Sequence, residues 1–124
     1  MAKKKTVIKK RAPSHLEARF KLIWRSIQGP EIEEEFAFHP TRKWRADFVH
    51  HDSRTLIEVE GGIHSYGRHN RADGFIKDAE KYLEATLLGY RVIRLVSGQL
   101  NPETLKRIKD LIEGCSDESI MDFL

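Results

Sequence analysis

The stretch Leu56-Ile57-Glu58-Val59-Glu60-Gly61-Gly62 constrains this chain more than any other. It reads as a short apolar strand that carries two carboxylates and then breaks at paired glycines. Successive side chains of a strand point to opposite faces, so Glu58 and Glu60 should emerge together while Ile57 and Val59 pack on the other side. Like charges side by side on a sheet are costly unless a cation holds them. The surroundings of this strand must therefore answer for its charge as well as its apolar face.

Upstream, Trp44 to His51 reads as a strand and Arg54 to Glu60 as its partner, with only Asp52-Ser53 between them. A hairpin symmetric about that pair sets opposite one another residues whose numbers sum to 105. Asp47 then faces Glu58, and Arg45 faces Glu60, so three carboxylates and one guanidinium are expected on a single face. Earlier still, Ile32, Glu34, Phe36 and Phe38 alternate with Glu31, Glu33, Glu35 and Ala37, which predicts a strand over about 31–39 with Phe36 and Phe38 inward. Ser14-His15-Leu16-Glu17 has the form of a capping box, and Leu16, Phe20, Ile23, Trp24 and Ile27 follow at helical spacing until Gly29-Pro30.

Downstream, residues 61–70 form a loop rich in glycine, histidine and arginine, which continues through Arg71 into a helix. Asp73 is its expected N-cap, and Phe75, Ile76, Ala79, Tyr82, Leu83 and Leu87 keep helical spacing until Gly89. Tyr90 to Val96 is a fourth strand, rich in β-branched residues. Asn101-Pro102 opens a last helix with Leu105, Ile108 and Ile112 inward and Gly114 at its end. The order α-β-β-β-α-β-α predicts an α/β fold: a mixed four-stranded sheet flanked by helices, with an extra C-terminal helix.

A chain of 124 residues, 40% of them apolar, suits one domain, expected over 14–114. Residues 1–13 hold Lys3, Lys4, Lys5, Lys9, Lys10 and Arg11 and are expected to be a disordered basic arm. Residues 115–124 are a tail mixing Asp117, Glu118 and Asp122 with an apolar end, either a docking peptide for a protein partner or a last turn over the core. Cys115 is the single cysteine, so neither an internal disulfide nor a cysteine zinc cluster can form within one chain. No apolar run approaches a membrane span, and the lysine-rich start lacks a signal's apolar region, so a soluble cytoplasmic protein is expected.

Asp47, Glu58 and Glu60 together would give oxygen ligands for a hard cation such as magnesium or manganese, and the chemistry that suits such an ion is phosphodiester hydrolysis. The plainer reading leaves them as solvent-facing charges satisfied by Arg45 and Lys43. His64, Arg68, His69 and Arg71 lie just beyond the acids in a glycine-rich backbone, and with Arg45 they are candidates to contact phosphate. Trp24 and Trp44 are read as core aromatics, with base stacking as the other use of Trp44.

A helix-borne Glu17, then Asp47, then Glu58-Val59-Glu60 at a strand end, in an α-β-β-β-α-β order, resembles the PD-(D/E)XK nuclease superfamily, over roughly residues 14–96. Ile57-Glu58-Val59-Glu60-Gly61-Gly62, Gly67-Arg68-His69, Asp78-Ala79-Glu80-Lys81-Tyr82 and Gly89-Tyr90-Arg91-Val92-Ile93-Arg94 resemble small bacterial and phage endonucleases related to the very-short-patch repair group. The resemblance implies a restriction-endonuclease-like fold and a magnesium-dependent endonuclease acting on DNA, with structure-specific cleavage in repair or recombination among its expectations; a domain that cuts both strands would most simply act as a two-fold homodimer. It makes Asp47 and Glu58 metal ligands and Glu17 a member of the metal shell, against the alternative that Glu17 only caps its helix. Glu60 departs from the pattern, which has lysine there: either Glu60 serves as ligand or base, or a lysine arrives from the following helix, where Lys77 and Lys81 are candidates. If neither holds, an inert nucleic-acid-binding module on the same fold is the reading that remains.

Overall fold

The computed structural model describes residues 15–61 and 71–114. A helix, α1 (His15–Ser26), leads into three strands, β1 (Glu33–Ala37), β2 (Arg45–His50) and β3 (Thr55–Glu60). A second helix, α2 (Arg71–Leu87), precedes β4 (Arg91–Val96), and after a short 3-10 turn the segment closes with α3 (Pro102–Glu113). The strands lie in the order β1-β2-β3-β4. β1 to β2 and β2 to β3 are antiparallel, while β3 and β4 are parallel and are connected through α2. The sheet is therefore mixed, and the α/β order read from the sequence holds.

Two apolar layers sandwich this sheet. Phe20 and Trp24 of α1 and Leu105, Ile108 and Ile112 of α3 pack on Phe48, Ile57, Val59 and Leu95. On the opposite face Ala85 of α2 joins Phe38, Ala46, Val49 and Leu56. Burying a side chain of this size contributes about 1.5–3 kcal/mol, so the α1/α3 layer is the larger source of stability. Phe20 stacks between Trp24 and Phe48, at centroid distances of 5.3 and 4.6 Å. The Trp24 indole N–H donates to the Pro30 carbonyl (2.8 Å), and a Cβ on Gly29 would lie 2.3 Å from the same ring. Trp24 is thus a core aromatic, as its helical spacing predicts.

Local chemistry accounts for the ends of the elements. Asn101 caps α3 by accepting from the Thr104 amide (2.8 Å). Gly89, at φ +94°, stops α2 where the chain must enter a left-handed conformation. Asp73 does not cap α2: the helix begins at Arg71 and Asp73 lies in its first turn, where its charge still favours the positive end of the dipole.

The β2–β3 pairing matches the expected register, with Phe48 opposite Ile57, Val49 opposite Leu56 and His50 opposite Thr55, each pair summing to 105. Regular alternation fails in one place. Ala46 and Phe48 are two residues apart yet belong to opposite apolar layers. On β1, whose residues pair with β2 as Glu34 with Phe48 and Phe36 with Ala46, the residue between is Glu35, in a left-handed conformation at φ +52°. The sheet is kinked at Glu35 and Asp47, where a non-glycine residue in that region costs about 1–2 kcal/mol.

Candidate functional site

Beyond the Phe48–Ile57 pair, side chains take over the contacts between β2 and β3. The Asp47 amide donates to Glu58 Oε2 (3.3 Å), and the Val59 amide donates to Asp47 Oδ2 (2.8 Å). Each carboxylate is thereby tied to the backbone of the neighbouring strand, or of the residue beside its partner. Such charge-assisted bonds fix both acids more rigidly than surface side chains are fixed.

The kink aims Asp47 away from the expected common face. One oxygen each of Glu17, Glu35 and Asp47 lie within 4.8 Å of one another, bringing together α1, β1 and β2. Glu17 is buried on α1 beside the Asp47 carboxyl. Burial pushes the Asp47 carboxyl up to about 7, opposed by the Val59 amide and reinforced by the charges of Glu58 and Glu17. Glu58 is raised as well, by burial, against the pull of Lys81.

Glu58 turns toward α2. Its Oε1 accepts from Lys81 Nζ (3.2 Å) and from the Tyr82 hydroxyl (3.3 Å). Both members of the Lys81–Glu58 ion pair are largely shielded from solvent. Burial and the Glu58 charge hold the Tyr82 hydroxyl above its ordinary range, so it remains a donor. Of the two lysines considered on this helix, Lys81 reaches the acids, whereas Lys77 is exposed.

Glu60 is engaged elsewhere. Arg94 of β4, which lies opposite Glu58 in the parallel register, donates to both Glu60 carboxylate oxygens, one at 3.1 Å through Nη2, and approaches Asp78 of α2 at 3.6 Å. The Arg94 guanidinium also lies over the Tyr82 ring, 4.5 Å from its centroid. The expectation that Arg45 meets Glu60 is therefore corrected: Arg45 pairs with Ala37 on β1, and its nearest acid is Glu35 at 3.8 Å. The reason is that β4 adds in parallel beside β3 and supplies the closer guanidinium.

His64, Arg68 and His69 lie outside the described residues, as does the side chain of Arg71, although its backbone begins α2. Trp44 is half-buried, stacked near Phe38 and covered by the Arg42 guanidinium 4.0 Å from its centroid. Three participants received no role from the sequence. Tyr82 and Arg94 stand in motifs that carry the resemblance, yet nothing in their spacing says that they meet Glu58 and Glu60. Glu35 looked like one more outward acid of an alternating strand, and only the β1–β2 register puts it across from Asp47.

The donor set suits a hard divalent cation. Carboxylate oxygens converge on Asp47, and their mutual repulsion in a partly buried place is what a bound cation would relieve. Among the described residues this is the one group of three or more acids, histidines or cysteines placed close enough to share an ion. No helix among them is long and apolar enough to cross a membrane. No family model, no curated protein and no solved structure matches the chain.

Proposed function

We propose that this chain is a magnesium- or manganese-dependent DNA endonuclease of the PD-(D/E)XK kind, hydrolysing phosphodiester bonds at the seam between β2 and β3. The observation that carries the reading is the interlocked pair Asp47 and Glu58, with Lys81 brought from α2 onto Glu58. Asp47 would hold the ion with Glu17 and Glu35 beside it, and Glu58 lies across the seam, accepting from the Asp47 amide. When bound, the ion supplies Lewis acidity toward a phosphoryl oxygen and a lowered pKa for its water. Lys81 takes the part of the lysine that the Glu60 position lacks: its Nζ holds a proton beside the seam and positions the attacking water. Glu60 is a positioning residue, which with Arg94 locks β3 to β4 and sets the Tyr82 ring. The basic arm and the loop residues His64, Arg68, His69 and Arg71, together with Arg45, bind the DNA backbone through charge.

The rival is a module that binds nucleic acid without cutting it. It is favoured by the closure of the ion pairs, since Glu58 already has Lys81 and Glu60 already has Arg94. Incubation of supercoiled, single-stranded and branched DNA with the protein and magnesium separates the two. The endonuclease reading requires cleavage by wild type that a chelator stops and that Asp47→Ala and Glu58→Ala lose. Binding without cleavage on every substrate, or equal cleavage by the variants, would establish the rival.

A further inference from the structure

α2 is amphipathic in an unusual sense: its inward face carries Asp78, Lys81 and Tyr82 besides the buried Ala85, and its large apolar residues point away from the sheet. Phe75, Ile76, Leu83 and Leu87 are 74, 62, 56 and 69% exposed. Ala72 and Ala79 are exposed on the same side. At about 100° per residue these six fall within a stripe about 120° wide. Ala72, Ile76, Ala79 and Leu83 are separated by four, three and four residues, the spacing of a coiled-coil seam.

We propose that this stripe is the interface of an antiparallel, two-fold dimer in which α2 of one copy packs against α2 of a second. Its pattern is self-complementary. Ile76 and Leu83 are equidistant from a point between 79 and 80, and so are Ala72 and Leu87. An antiparallel copy thus sets Ile76 against Leu83 at both ends, while the small Ala79 allows close approach at the centre. The area also fits. The exposed apolar side chains present on the order of 500 Å², at the upper end of what a monomer leaves uncovered. A standard interface takes about 800 Å² from each partner, rather more than half of it apolar, so the stripe supplies the apolar part and Glu80 lies at its rim. The inference holds whether or not the protein cuts DNA. Its consequence is that the helix bearing Lys81 is clamped from outside, with the two acid sites held on opposite sides of the paired helices.

The test is sedimentation equilibrium of the full chain together with site-directed cross-linking. Wild type sediments at twice the mass of the chain at micromolar concentration, and Leu83→Glu and Ile76→Glu weaken association by at least about tenfold, equivalent to 1.4 kcal/mol. Both positions are exposed, so circular dichroism of the variants should match wild type. In a Cys115→Ser background, Ala79→Cys forms an intermolecular disulfide on oxidation, whereas Glu103→Cys on α3 does not. A monomeric wild type overturns the proposal, whether residues 115–124 or another protein then covers the stripe. So does a dimer that survives Leu83→Glu unchanged and leaves Ala79→Cys uncross-linked.

Discussion

At the scale of single residues the protein is organised by where it leaves negative charge in a buried place. Asp47 binds a proton on folding, because its carboxyl is held up to about 7 against an ordinary 3.8. A raised folded pKa means that its contribution to stability is present below about pH 4 and is lost as pH rises to about 7. Asp47→Asn should therefore gain on wild type across that window in metal-free buffer, read as the difference between their melting temperatures at each pH. A constant difference would show that Asp47 is ionised throughout. Lys81→Met leaves Glu58 with only the Tyr82 hydroxyl and the Asp47 amide, and should cost about 1–3 kcal/mol in urea denaturation. Adding Glu58→Gln should recover part of that loss, since the uncompensated charge goes with it. Simple additivity of the two changes would mean that the ion pair is not what stabilises this position.

At the scale of elements, the sheet is regular except at Glu35 and Asp47, and the irregularity creates the site. Glu35→Gly and Glu35→Ala both remove the carboxylate, so comparing them isolates the backbone. Glycine should be the more stable of the two by about 1 kcal/mol, reversing the usual order within a strand, as measured by chemical denaturation. Asn101→Ala should cost about 1 kcal/mol through the lost cap of α3. Much of this level was legible in the chain itself. Hairpin symmetry about Asp52-Ser53 predicted the register of Phe48 with Ile57, Val49 with Leu56 and His50 with Thr55, because a short turn leaves little freedom of register. Leu105, Ile108 and Ile112 are buried on α3 as their spacing requires. The kink was not legible, because a left-handed glutamate has no sequence signal, and neither was the Arg94–Glu60 pair, which depends on parallel addition of a strand thirty-four residues away. For α2 the spacing identified the helix and gave no hint that Phe75 and Leu87 would face outward. Periodicity shows that one side is apolar, and not what covers it.

At the scale of the whole molecule, α1 and α3 cover one face of the sheet, α2 lies on the other, and the acids sit where the two sides meet. Asp47 is reached by Glu17 from the first side and Glu58 by Lys81 from the second, so the pair joins both layers. A divalent ion held there would link α1 to the sheet and raise thermal stability by mass action. Glu60, tied to Arg94, lies outside that linkage. Isothermal titration of manganese into the protein at a pH above that at which Asp47 ionises tests the account most directly. It predicts one ion bound by wild type, binding abolished in Asp47→Ala and retained in Glu60→Gln. No binding by wild type, or binding that Asp47→Ala leaves intact, would contradict it.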